Sequence, residues 1–150
     1  MAMSVNGMIA RKNGEEDFLS HENWERFISL ENKHKNFVIG RKTYEAVKNW
    51  GEDYNFDNLI GIEKVVISQN TPKALGGDYI VARSPRDAIE NLSQKGFDNV
   101  LVAGGATINS AFAKENLLDE IILNVEPVFI GQGTPLFSEG DFDISAELTS

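Results

Sequence analysis

The stretch VLVAGGATINSAF, residues 100–112, runs from an apolar segment through Gly104 and Gly105 into a segment of helical spacing, without a single charge. Where a helix opens, its first N–H groups lack partners within the helix and the aligned peptide dipoles leave partial positive charge. A phosphate binds there if no side chain blocks it, and glycine removes the obstruction. A tight strand-to-helix turn also asks for glycines, so this stretch alone leaves both readings open. FVIGRKTYEAV, residues 37–47, repeats the arrangement, with Gly40 followed by Arg41, Lys42 and Thr43, whose side chains can hold an anion. A third apolar run ends in Ser68, Gln69 and Asn70, all hydrogen-bond donors. Taken singly, each is an ordinary solvated end of an element. Gathered on one edge of a parallel sheet, the three point to a dinucleotide.

Other chemistries find fewer residues. Without cysteine there is neither a disulfide nor a thiolate metal site. His21 and His34, the two histidines, lie on one helical segment and read as surface residues, so no metal site is expected. Glu15-Glu16-Asp17 reads as a solvated loop face, with a negative rim beside a substrate pocket as its alternative. The formal charge of −9 leaves no surplus of cations for nucleic acid or an anionic membrane, whereas a small anion needs only a few local ones. No apolar run approaches the ~20 residues of a membrane span. Residues 1–10 lack the basic and apolar regions of a signal peptide, and the expectation is a cytoplasmic protein.

These residues must be positioned by a frame. A chain of 150 residues with 41% hydrophobic content fits one domain, residues 1–150, around one core. Short runs rich in valine and isoleucine alternate with helical stretches, the pattern of an α/β fold whose mostly parallel sheet is covered on both faces. Strands are predicted over residues 37–40, 64–68, 79–82, 99–103 and 120–126, with a short first strand over 1–5. Ser84 as N-cap, Pro85 at the first helical position, Asp87 in the first turn and Gly96 as stop mark one helix. A second contains Trp24, Phe27, Ile28 and Glu31 at helical spacing, with Ser20 as its cap. A third opens near Ala106. The polar and aromatic segment 48–61 reads as a loop at the rim, of the kind that lines sites. Residues 141–150 are predicted to begin a strand, its edge completed in a homodimer or its partner simply missing.

The segments VIGRKTYE, VVIS, VLVAGGATINSAF and LLDEIILNVEPVFIGQGTPLF, with MSVNGMIA at the start, resemble the dihydrofolate reductase superfamily, which includes the reductase domain of riboflavin biosynthesis. The resemblance covers most of the chain and implies a three-layer α/β/α fold and an NADPH-dependent reductase. It implies that Gly104 and Gly105, often joined by a cis peptide, approach the cofactor pyrophosphate, with Ala103, Ala106 and Thr107 beside them. Arg41, Lys42 and Thr43, after Gly40, would hold the 2′-phosphate and pyrophosphate, and Ser68, Gln69 and Arg83 the adenosine end. Ile9 and Ala10 would lie against the nicotinamide. Phe27 and Asn124 are the implied substrate contacts.

The substrate divides the superfamily. Dihydrofolate reductases carry a carboxylate in the first helix, and that position falls here at Asn23, with Glu22 adjacent. Asn23 shares a helical face with Phe27, whereas Glu22 points about 100° away on an ideal helix. The two are the candidate catalytic residues, Glu22 as proton donor or Asn23 as a ring contact with water delivering the proton. The arginine that grips the folate glutamate falls at Ile62. Many riboflavin reductases have glutamate where Ala103 stands, although the tail PVFIGQGTPLF favours that branch. Reduction of dihydrofolate is the first expectation, given a compact stand-alone domain. The alternative is the riboflavin-pathway reduction of 5-amino-6-(5-phosphoribosylamino)uracil or its diamino precursor. A non-catalytic nucleotide-binding module is the third.

Overall fold

Four β-branched or aromatic runs pair in parallel to form the central sheet: β3 (Asn36–Gly40), β4 (Glu63–Ile67), β5 (Tyr79–Ala82) and β6 (Val102–Gly104), in the order β5-β4-β3-β6. The computed structural model describes residues 1–70 and 75–149. Side chains along a strand alternate between faces, and here both faces are apolar. Val38, Val65 and Ile67 face α3 (Pro85–Gln94) and α4 (Ala106–Lys114), meeting Ala88, Leu92, Ile108 and Phe112. Phe37, Ile39 and Val66 face the other way, toward Tyr44 and Val47 of α2 (Arg41–Val47) and Trp24 and Phe27 of α1 (His21–His34). The result is the three-layer α/β/α arrangement expected.

Two further pairs flank the sheet. β1 (Ala2–Ser4) runs parallel to β7 (Asn124–Glu126), and β2 (Met8–Arg11) runs antiparallel to β8 (Gly133–Pro135). Neither β2 nor β8 is foreseen in the sequence. Gly133 lets them close, because a Cβ there would come within 2.2 Å of the Ala10 carbonyl oxygen. The strand expected over 120–126 shortens to Asn124–Glu126, since its partner β1 has only three residues. The one expected over 99–103 becomes Val102–Gly104, where an irregularity shifts its register against β3. Residues 141–149 form no strand; Ser150 lies outside the described residues.

Helix ends follow local chemistry. Ser84 caps α3, its hydroxyl accepting from the Asp87 N–H, with Pro85 at the first position as expected. Ser20 stands at the N-cap of α1 but makes no side-chain cap bond, because its hydroxyl accepts from Asn23 Nδ2 instead. Among the described residues no helix is long and apolar enough to cross a membrane.

Candidate active site

Because the central strands are parallel, Gly40, Ile67, Ala82 and Gly104 all end on one edge. The strand order sets the following residues side by side as Arg83, Ser68, Arg41 and Gly105. Arg83 Nη1 donates to the Ser68 carbonyl at 2.7 Å, and Gln69 Nε2 donates to the Arg83 carbonyl at 3.1 Å. Arg41 Nη1 lies 2.7 Å from both carboxylate oxygens of Glu45. A guanidinium carries five N–H donors, more than this pair uses. Lys42 is exposed beside it. With α2 only seven residues long, the side chains of Arg41, Lys42 and Thr43, not a helix dipole, are what this strand end offers an anion.

The Gly104-Gly105 peptide is cis. Gly104 has φ +97°, whereas Gly105, the N-cap of α4, is extended with φ −78°. A Cβ on Gly105 would stand 3.1 Å from Thr43 Oγ1. No side chain caps α4, so the first-turn amides after Gly105 have no side-chain acceptor. Ala106 is buried and Thr107 is exposed.

Beside the glycine pair lies a cavity of about 550 Å³. Ile9, Thr43, Ala103, Gly105 and Asn124 line it from the strands and their ends; Asn23, Trp24 and Phe27 come from α1. The loop over 48–61, folded into 3-10 turns at Glu52–Tyr54 and Phe56–Asn58, adds Trp50, Tyr54 and Phe56. Trp24 stacks on Phe56 with centroids 5.9 Å apart and meets Tyr54 edge-on at 5.3 Å, so the rings brace one another. Glu15, Glu16 and Asp17 add carboxyl groups to the wall. Arg11 Nε pins their loop through Asp17 Oδ1 at 2.5 Å. Burial pushes the Glu16 carboxyl up to about 7.

Thus Ile9, Asn23, Phe27, Thr43, Ala103, Gly105 and Asn124 come together on the cavity, while Arg41, Lys42, Ser68, Gln69 and Arg83 line the sheet edge. Ala10 is buried beside Ile9, outside the wall. Glu22 is exposed on α1 and also outside it, as the helical angle to Asn23 requires. Asn23 Nδ2 donates to the Glu126 carboxylate, which also accepts from the Ser20 backbone N–H at 2.9 Å. A carboxylate does therefore reach this end of α1, supplied by β7. Sequence reading left Glu126 as a strand end, since 103 residues separate it from Asn23. Glu16 was legible only as the alternative reading of its acidic run. His21 sits at the rim, its Nδ1 3.1 Å from the Tyr54 hydroxyl.

Comparison with known proteins bears on this arrangement. The chain is 29% identical over 148 residues to the uncharacterized protein YwjB of Bacillus subtilis (strain 168), across 93% of this chain and 80% of that one. Among solved structures it resembles a "Putative riboflavin biosynthesis protein" from Shewanella sp. PV-4, with TM-score 0.77 and 27% identity over 97% of this chain and 84% of that one. A Thermotoga maritima diaminohydroxyphosphoribosylaminopyrimidine deaminase/5-amino-6-(5-phosphoribosylamino)uracil reductase shares the fold, with TM-score 0.69 and 16% identity over 98% of this chain and 49% of that one. The model of the RibD C-terminal domain matches residues 1–150. The chain belongs to the RibD C-terminal domain family, within the dihydrofolate reductase-like superfamily.

Proposed function

We propose that the chain is an NADPH-dependent reductase whose chemistry is of the riboflavin-biosynthesis kind, hydride addition to an aminopyrimidine-type substrate. The observation that carries this reading is an aromatic-walled cavity opening onto Gly105 at the carboxyl edge of a parallel sheet. The family match supports this branch over dihydrofolate reduction. So does Ile62, which packs against the core where a folate-binding arginine would have to reach a ligand.

The residues present fit the cofactor. Gly105 leaves open the space that a Cβ would fill against Thr43, the amides opening α4 suit a pyrophosphate, and Arg41 and Lys42 suit a 2′-phosphate. When bound, NADPH supplies the hydride. The chain's own groups do the rest. Trp24, Phe27 and Phe56 hold a flat ring and exclude water. Asn23, fixed by Glu126 and Ser20, orients the polar edge of that ring. Glu16, its carboxyl raised to about 7 by burial, is divided between protonated and ionised forms at neutral pH and is the wall residue best suited to hand over a proton.

The test follows NADPH absorbance with ribosylaminopyrimidines and with dihydrofolate in parallel. The reading expects oxidation with a ribosylaminopyrimidine, and a preference for NADPH over NADH of roughly tenfold that Arg41→Ala removes. Turnover of dihydrofolate alone returns the chain to folate reduction. Turnover of neither, with NADPH still bound, favours the non-catalytic module.

A further inference from the structure

Both substrates considered above end in an anion, a phosphate on the ribosylaminopyrimidine and a glutamate carboxylate on dihydrofolate. Sites for such groups place an arginine or lysine within hydrogen-bond reach. Among the described residues, the cavity wall contains no arginine or lysine side chain. It contains Glu15, Glu16 and Asp17 instead. Other positive groups nearby are already engaged. Arg11 pairs with Asp17 at 2.5 Å and lies over the Phe18 ring. The Met1 amino group, on the wall, donates to the Ile122 carbonyl at 2.7 Å, and burial lowers its pKa. His21 lies between the Tyr54 hydroxyl and Glu25. Arg41, Lys42 and Arg83 stand outside the wall, on the sheet edge that suits the cofactor.

These arginine and lysine side chains therefore stand on the sheet edge, and carboxylates and aromatic rings dominate the cavity wall. An anion entering the cavity would lose water and meet Glu15, Glu16 and Asp17, with no arginine or lysine side chain among the described wall residues to offset them. A neutral ring loses nothing to them, and a cationic one gains from both carboxylates and ring faces. We propose that the cavity selects a flat heterocycle bearing no anionic substituent, such as a dephosphorylated ribosylaminopyrimidine or a pterin without a glutamate tail, with residues 15–17 as the wall that excludes anions. This rests on the reductase reading for the reaction, while the selection is a property of the wall itself.

Trp24 and Trp50, the two tryptophans of the chain, both line the cavity, so intrinsic fluorescence reports occupancy without turnover. The experiment titrates the full chain with two matched pairs: 5-amino-6-ribosylaminouracil against its 5′-phosphate, and dihydrobiopterin against dihydrofolate. The uncharged member of each pair is expected to bind at least roughly tenfold more tightly. Glu16→Lys should narrow that gap, and Glu16→Gln should narrow it less. Equal or tighter binding of the anionic members overturns the proposal, as does quenching by neither member of either pair. Cofactor binding is followed separately through NADPH emission. Its absence would sink the reductase reading and leave the pair comparison to be judged on its own result.

Discussion

Gly104 and Gly105 are neighbours that answer to different demands. Gly104 has φ +97°, a conformation that costs an L-residue roughly 1–2 kcal/mol. Gly105 has φ −78°, which any residue adopts, and its missing side chain matters for the space beside Thr43. Gly104→Ala is accordingly expected to lose on the order of 1–2 kcal/mol of stability in urea unfolding. Gly105→Ala should fold with little loss and bind NADPH roughly tenfold more weakly by fluorescence titration. Unchanged affinity in a folded Gly105→Ala protein would confine that glycine to the turn. The sequence made the pair legible as a phosphate approach or a turn, and the backbone assigns the turn to Gly104. What no local reading could reach is the pairing of Asn23 with Glu126, because nothing near either residue marks a partner on a distant strand.

At the scale of elements, Asn36 ties the sheet to the segment that delivers the glycine pair. It is fully buried at the start of β3. Its Nδ2 donates to the carbonyls of His34 at 2.9 Å and Asn99 at 2.8 Å, and its Oδ1 accepts from the Leu101 N–H at 3.2 Å. Asn36→Leu removes the partner of three part-buried backbone groups, and a loss of roughly 1–3 kcal/mol is expected in urea unfolding. A loss below about 0.5 kcal/mol would show that other groups or water take over the bonds. The most legible elements were β3 and β4, which contain the apolar runs 37–39 and 65–67, and α3, which carries its cap, its proline and its stop in sequence. β2 and β8 were not, because each is too short to show alternation and their pairing joins opposite ends of the chain. The loop over 48–61 was legible as a rim, yet its rings gain their role only by meeting Trp24 and Phe27 across the cavity.

For the whole molecule, charge is the organising quantity, and Glu31 is where the core meets it. Its spacing with Phe27 and Ile28 set it on the apolar face of α1, and it is 1% exposed. Burial pushes its carboxyl up to about 8, with Lys64 pulling it partly back. An unfolded glutamate titrates near 4.3, roughly, so between there and about 8 the folded state holds the extra proton. Stability from this group is therefore present at low pH and falls as pH rises through that window. Glu31→Gln should match the wild type near the lower end and exceed it by a margin that grows to a few kcal/mol, roughly, above the upper end, in urea unfolding across pH. A difference that does not grow with pH would contradict the assignment. The larger claim is that the chain holds NADPH across its sheet edge with the nicotinamide end beside the aromatic cavity. Tryptophan-sensitised NADPH emission tests this most directly, because Trp24 and Trp50 both stand on the cavity wall. The result expected is saturable sensitised emission that weakens in Trp50→Phe and when NADH replaces NADPH at equal concentration; NADPH that fails to bind, or that binds without sensitised emission, would contradict it.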